Sequence, residues 1–302
     1  MTAPIALFVY NRPVHTLSTL QHLQKNKGAA DSCLYIYSDG PKQPKDEGAV
    51  NQVREIINRA QGFKSIKVIE RQNNFGLARN IIEGVSEILQ NHENIIVLED
   101  DLLTSEGFLK YMNTSLSFYK DSRIFSICGY HPPISIPKTY SYSTFLVPRI
   151  GSWGWATWRE KWLKADWQVK DFNVFIKNKK ERLQFEKGGN DTAMMLLSQQ
   201  TGKNNSWAIR FNYACYKDDG LCAYPTQSLI QNAGIDGSGT HMKKSNKYAA
   251  SVTQCIDLSN LCPPEVVDEK IQQNFRRFYN TSLFRRTINH LKFWKYIKNI
   301  TD

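Results

Sequence analysis

The sequence predicts an α/β fold, a mostly parallel sheet flanked by helices with a basic helical extension at its C-terminal end. Two observations carry the sheet. Short aliphatic runs of strand length alternate with segments whose apolar residues recur at helical spacing, the pattern of successive βαβ units. Three of those runs end directly in polar clusters, as strands do where a parallel sheet reaches its ligand-binding edge.

Taken in order, residues 5–10 (Ile-Ala-Leu-Phe-Val-Tyr) form a first buried strand, and Leu17, Leu20 and Leu23 mark the helix after it. Residues 33–37 form a second strand, stopped by Ser38-Asp39-Gly40-Pro41, with Val53, Ile56, Ile57 and Ala60 marking a second helix. Residues 66–69 are a third strand, followed by a helix on Leu77, Ile81, Val85 and Ile88. Residues 95–98 are a fourth, all-aliphatic strand. Phe108, Leu109, Met112 and Leu116 mark a fourth helix, and residues 124–127 a fifth strand. Ligands bind beyond the carboxyl ends of such strands. Asn11-Arg12-Pro13, Ser38-Asp39-Gly40 and Glu99-Asp100-Asp101 are therefore expected on one edge.

The alternation fades after residue 128. Residues 129–265 carry Pro132, Pro133, Pro137 and Pro148, many aromatics and the segment Gly151-Ser152-Trp153-Gly154-Trp155-Ala156-Thr157-Trp158. They are expected to be a less regular half that completes the domain begun by residues 1–128. Within it, residues 177–187 suit a solvated helix or loop. Asp218-Asp219-Gly220 suits a hairpin turn between strands at 211–216 and 221–224. Residues 266–302 form the basic extension.

Composition narrows the function classes. At 302 residues, 41% hydrophobic and 22% charged, the chain is long and apolar enough for a substantial core. No apolar run approaches the roughly 20 residues that span a bilayer. The N-terminal stretch lacks a basic n-region and suits a strand better than a signal peptide, so the expected compartment is the cytosol. The six scattered cysteines contain no C-x-x-C pair, which points to reduced thiols rather than zinc or a disulfide framework. The net charge of +11 suits partners bearing phosphate or an anionic surface.

The acidic triplet is the sharpest local signal. Adjacent carboxylates at the mouth of a parallel sheet repel one another and need a cation or hydrogen-bond donors. A divalent ion with hard oxygen ligands, Mg²⁺ or Mn²⁺, meets that need and bridges to phosphate oxygens. The plainer alternative is a solvated acidic turn ahead of the helix near Thr104-Ser105-Glu106.

The run I-I-V-L-E-D-D-L followed by an F-L-K-Y-M helix resembles glycosyltransferases of the GT-A fold. It is similar in particular to the inverting N-acetylglucosaminyltransferase I family and its bacterial relatives in polysaccharide synthesis. The likeness spans roughly residues 3 to 241 as an order of segments. These are Asn11-Arg12, Asp39, the N-x-G-L-A-R-N segment from Asn74 to Asn80, the E-D-D, Gly151 to Trp155, and a C-x-x-P segment leading to His241.

The resemblance implies a metal-dependent, inverting transfer from a nucleotide diphosphate sugar, with UDP-GlcNAc one candidate donor, to a hydroxyl of a glycan or lipid-linked acceptor. It implies that Asp101 binds Mn²⁺ or Mg²⁺ directly, that Glu99 and Asp100 hold the donor's ribose or sugar, that Asp39 reads the base, and that Arg12 and Arg79 line the nucleotide and pyrophosphate pocket. The acceptor-side half should supply a general base. Asp166, Asp171, Asp191, Asp218 and Asp219 are candidates, and by segment order Asp191 matches the family's base. The family is Trp-rich there, whereas this chain has Gly188-Gly189-Asn190. Asp191 is equally placed to cap the helix opened by residues 193–197.

Aromatic faces stack on sugars, so Gly154-Trp155 is assigned to the site and Trp158 to the core. His241 is a candidate second metal ligand or a surface residue. From Lys270 to Lys298 there are eight Lys or Arg and no acid, interleaved with apolar residues near helical spacing. This extension either docks on an anionic inner membrane surface, making the protein peripheral, or packs on the domain with a solvated basic face. A basic nucleic-acid-binding protein is the competing reading outside enzymes, but the acidic triplet would then have no role and no nucleic-acid motif accompanies the extension, so nucleic acid is not an expected partner. A nucleotidyltransferase on a similar sheet is the competing enzyme reading, but it wants a Gly-rich basic loop after the first strand, and Asn11-Arg12-Pro13 is not one.

Overall fold

A computed structural model describes residues 2–236 and 246–300. Its strands are β1 (Ile5–Val9), β2 (Cys33–Ser38), β3 (Ser65–Glu70), β4 (Asn94–Glu99), β5 (Leu102–Thr104), β6 (Ile124–Cys128), β7 (Thr144–Val147), β8 (Trp155–Trp158), β9 (Leu221–Pro225) and β10 (Ile230–Asn232). Its helices are α1 (Pro13–Gln24), α2 (Glu47–Asn58), α3 (Leu77–Leu89), α4 (Phe108–Phe118), α5 (Arg159–Leu163), α6 (Phe172–Lys177), α7 (Lys179–Phe185), α8 (Thr192–Gln200), α9 (Trp207–Lys217), α10 (Glu269–Tyr279) and α11 (Leu283–Asn299).

Eight strands form one sheet in the order β3-β2-β1-β4-β8-β6-β9-β7, and β5 pairs with β10 in a separate antiparallel ribbon. The parallel block β3-β2-β1-β4 has Phe8 of β1 opposite Tyr37 of β2 and Glu99 of β4. β8 runs against both β4 and β6, and β7 against β9. The architecture is the mixed α/β sheet with flanking helices that the alternation predicts.

The sequence explains the layering. β1 is apolar throughout because both faces are covered, as a central parallel strand requires. Ile5, Leu7 and Val9 face α1, α2 and α4, packing with Leu20, Leu23, Val53 and Met112. Ala6 and Phe8 face the other layer, with Ile81 and Val85 of α3 and Phe211 of α9. Each fully buried Leu, Ile, Val or Phe in these layers contributes about 1.5–3 kcal/mol relative to exposure. A third cluster joins α6, α7, α8 and α9 around Phe175, Phe185, Leu196 and Tyr213.

The second half is more ordered than its sequence suggests. It supplies β7, β8 and β9 to the central sheet, and residues 179–185 form α7. Residues 211–216 are not a strand of a hairpin but part of α9. Ser206 caps that helix by accepting from Ile209 N, and Trp207, Phe211, Ala214 and Cys215 bury one helical face. The tail packs on the same body, with Ile271 and Phe275 of α10 in the second cluster and Phe293 of α11 in the third. All six cysteines are free thiols. Among the described residues no helix is long and apolar enough to cross a membrane.

Candidate active site

A cleft of about 1340 Å³ runs along the carboxyl ends of the parallel strands. It sits at the topological switch point. The chain builds β1, β2 and β3 outward in one direction and then returns to add β4 on the other side of β1. The loops after β1 and β4 therefore diverge, opening the crevice in which such sheets bind ligands.

One wall is acidic and is made at this crevice. Arg12, the residue before α1, follows β1, and the triplet follows β4. Arg12 Nη2 donates to Asp100 Oδ1 and, at 3.1 Å, to Asp101 Oδ2. Its Nη1 is buried with no partner among the described residues. Thr19 Oγ1 donates to the Asp100 carbonyl at 2.7 Å, which fixes the loop on α1. Burial disfavours the Arg12 charge, but Asp100 and Asp101 outweigh it and hold its pKa above the ordinary value. Burial, reinforced by Asp101 and Asp100, pushes the Glu99 carboxyl up to about 8. Burial pushes Asp100 up to about 6 against the pull of Arg12. Among the described residues the cluster is thus short of positive charge even with Arg12 in place.

The donor set suits a hard divalent cation. Glu99 and Asp101 both line the cleft, and the Glu99 carboxylate makes no side-chain hydrogen bond among the described residues. Ala233 N donates to the Asp101 carbonyl at 2.8 Å, bringing Gly234 against the Asp101 carboxylate. A Cβ at Gly234 would collide with Asp101 Oδ2, so the small residue preserves room at that oxygen. Among the described residues no group of three or more His, Cys, Asp and Glu side chains is arranged to hold a metal. His241 lies outside the described residues.

Asp39 also lines the cleft, but its carboxylate is fully engaged. Oδ1 accepts from Gly40 N (3.0 Å) and Phe75 N (2.8 Å), and Oδ2 from Gly76 N (2.9 Å) and Asn74 Nδ2 (3.1 Å). Its visible work is to shape the loop entering α3, where Gly76 holds φ +70°. Arg79 is off the cleft wall, on the exposed face of α3, bonded to Glu83 at 2.6 Å and stacked on Phe75.

The opposite wall comes from the second half. Arg149, on the segment after β7, is bound bidentately by Asp191, with Nη1 to Oδ1 at 2.7 Å and Nη2 to Oδ2 at 3.0 Å. Its guanidinium lies 4.0 Å from the Tyr279 ring centroid. Burial works against the Arg149 charge, and Asp191 more than offsets it, so the pKa remains raised. Asp191 stands at the N-cap of α8, where its side chain makes no capping bond; the carboxylate serves Arg149 instead. Of the five acids considered for the base, only Asp191 lines the cleft. Asp166 bonds the backbone of Gln168 and Lys170, Asp171 bonds Tyr213 and Lys217, and Asp218 pairs with Lys164. Asp219 is in the turn after α9, at φ 49°.

The tryptophans are distributed differently from expectation. Trp153 lines the cleft, its ring 4.5 Å from Tyr130 and 5.9 Å from Tyr248. Trp155 is in the core, stacked on Trp207 at 4.7 Å and Trp162 at 5.7 Å. Gly154 is packed against Ile230 and Phe108 rather than facing the cleft. The reason is strand alternation: β8 begins at Trp155, so Trp155 and Trp158 enter opposite core layers, while Trp153 precedes the strand and stays at its mouth. Trp158 is buried as expected.

Sequence reasoning missed Arg149, Tyr248 and Tyr279. A lone Arg after a proline carries no local signal, and its partners lie 42 and 130 residues away.

No family model matches the chain, and no curated protein sequence matches it. Among solved structures it is similar to a mannosyltransferase from Pyrobaculum calidifontis in complex with GDP-Man and Mn²⁺. That likeness is at 10% identity and TM-score 0.41, over 72% of this chain and 69% of that one. It is also similar to a UDP-glucose pyrophosphorylase complexed with UDP-glucose (12%, TM-score 0.40, 77% and 94%). A third is the galactosyltransferase LgtC in complex with donor and acceptor sugar analogues (10%, TM-score 0.38, 73% and 72%). Likeness at this level leaves the reaction to be argued from this chain's own residues.

Proposed function

We propose that this protein is a metal-dependent, inverting glycosyltransferase. It moves a sugar from a nucleotide diphosphate donor to a hydroxyl of a growing glycan or lipid-linked acceptor. The observation that carries the reading is the position of the acidic triplet, at the β1/β4 switch point and facing a cleft large enough for two substrates. Single-ligand pockets are commonly about 300–1,000 Å³.

Asp101, with Glu99 beside it, would hold Mn²⁺ or Mg²⁺, which when bound supplies positive charge against the donor diphosphate. The chain's own residues do the rest. Arg12 keeps Asp100 and Asp101 oriented. Asp191, across the cleft, takes the proton from the acceptor hydroxyl as that oxygen bonds to the anomeric carbon. The bond from that carbon to the diphosphate oxygen breaks, and the nucleotide diphosphate leaves with the electron pair. Arg149 fixes the Asp191 carboxylate without exhausting its lone pairs, since each oxygen can accept a second bond. Trp153 offers an aromatic face for a sugar ring. A nucleotidyltransferase fits less well, because the cation after β1, Arg12, is committed to the triplet.

The test is calorimetry with UDP-sugars in Mn²⁺ and in EDTA, followed by analysis of the anomeric configuration of the product. Donor binding that needs the metal, with inverted product, supports the reading. Donor binding unchanged by EDTA removes the metal, and release of pyrophosphate from a nucleoside triphosphate identifies a nucleotidyltransferase instead.

A further inference from the structure

The basic tail was expected either to dock on a surface or to pack on the domain, and α11 has the geometry for both. One face packs inward. Asn289 and Phe293 are buried, and the Tyr296 ring meets Phe172 at 5.8 Å while its hydroxyl donates to Asn173 Oδ1 at 3.2 Å. At about 100° per residue, the opposite face carries Leu283, Phe284, Thr287, Leu291, Trp294 and Lys298 within an arc of about 100°. Its four large apolar side chains are 81%, 78%, 62% and 65% exposed at Leu283, Phe284, Leu291 and Trp294. Burying one face of a helix while leaving four large apolar residues aligned on the other is costly in water, and it marks an interaction surface.

The charge around that stripe selects the partner. Lys295 borders it on one side, and Lys298 lies within it, its Nζ 5.7 Å from the Trp294 ring. No Asp or Glu occurs between Lys270 and Lys298. Beyond Lys295, the same flank carries Lys292 and Arg285, which line the cleft. A Trp- and Leu-bearing stripe with a lysine in it, a cationic flank and no acid on the helix is complementary to an interface that is apolar below and anionic above. A protein groove would be expected to meet some acid on this helix.

We propose that the outward face of α11 seats on an anionic lipid surface, with Leu283, Phe284, Leu291 and Trp294 in the headgroup–acyl boundary and Lys295 and Lys298 among the headgroups. The cleft then opens beside the membrane, with Arg285 and Lys292 at the junction. This deepens the reading above by making the acceptor a lipid-linked one, and that part rests on it; the docking itself does not.

The experiment is co-sedimentation of the full chain with phosphatidylcholine vesicles, with and without phosphatidylglycerol at three parts in ten, at about 0.1 M salt. Expected is binding at least tenfold stronger to the anionic vesicles, a blue shift of tryptophan emission, and loss of both in Phe284→Ser/Trp294→Ser. Lys295→Glu/Lys298→Glu should lose the anionic preference. Circular dichroism and Mn²⁺-dependent donor binding should be unchanged in both, since the four positions lie off the cleft. Absence of binding to anionic vesicles, or equal binding by the Ser variant, overturns the proposal. So does a concentration-dependent dimer that the Ser variant abolishes, since the occupant is then a second copy. Donor binding is read separately, so failure here is distinguishable from failure of the glycosyltransferase assignment.

Discussion

The two walls of the cleft solve opposite electrostatic problems. Among the described residues the wall at the β1/β4 crevice gathers Glu99, Asp100 and Asp101 around a single guanidinium, and burial raises the pKa of Glu99 and of Asp100 above the ordinary carboxylate range. The wall built by the second half pairs one guanidinium with one carboxylate, Arg149 with Asp191, and covers the pair with Tyr279. An under-compensated cluster is suited to receive a cation and the anion that comes with it. A compensated pair is suited to hold one carboxylate in a fixed orientation. The difference teaches that charge balance, more than the number of acids, separates a ligand-accepting wall from a positioning one.

The comparison breaks first at Asp101. If the acidic wall is the cation wall, Asp101→Ala should lower Mn²⁺-dependent transfer by about 10³-fold or more, with the circular dichroism spectrum unchanged. Transfer within threefold of wild type would remove the distinction between the walls. The next test is Asp191→Asn, which keeps shape and one hydrogen-bond acceptor. A base there predicts a kcat lower by about 10²–10⁴-fold with the donor KM unchanged. A raised donor KM with little change in kcat would mean that Asp191 serves Arg149, and that Arg149 holds the donor.

The compensated pair can be sharpened through stability. Arg149→Met leaves the largely buried Asp191 carboxylate without its partner, and breaking a buried pair costs about 3–5 kcal/mol. Some discount applies here because Asp191 retains partial contact with solvent. Urea denaturation of Arg149→Met and of Arg149→Met/Asp191→Leu separates the contributions: the double variant should recover part of the loss. If the single variant is as stable as wild type, the pair is not holding the far wall.

The two walls also differ in how far the sequence discloses them. The aliphatic runs of β1 and β4 and the polar residues after them are contiguous, so Arg12, Asp39 and the triplet can be assigned to one sheet edge from periodicity and topology alone. Nothing local discloses that Asp39 spends its carboxylate on Phe75 and Gly76, because that depends on how a loop 36 and 37 residues away closes. The far wall draws Arg149, Trp153, Asp191 and Tyr279 from four segments, and each is ambiguous in isolation. Trp155 illustrates the limit: a Gly-punctuated Trp run signals a site, but which indole enters the core depends on where β8 begins. Residues 211–216 have the aromatic content of a strand, with Phe211, Tyr213 and Tyr216, whereas the four-residue spacing of Trp207 and Phe211 is the helical signal that the structure follows.

The smallest expected effect concerns the scaffold behind the far wall. His131 follows the Tyr130 that packs on Trp153, and its imidazole is tucked against β9 and edge-on to Phe145. The Pro225 carbonyl lies 2.9 Å from Nδ1 and can only accept, so Nδ1 carries a proton. Burial holds the His131 pKa below its ordinary value, with the Pro225 carbonyl opposing that shift. The unfolded chain therefore binds this proton more readily than the folded one. The stability that neutral His131 contributes is complete above about pH 6.5 and is lost as pH falls through the lower folded value. Thermal unfolding from pH 7.5 to 5 should show this loss, and His131→Asn, whose side-chain amide can still donate to Pro225, should lose less over the same window. Profiles that superimpose would place the proton-sensitive group elsewhere and leave the far wall's scaffold indifferent to acid.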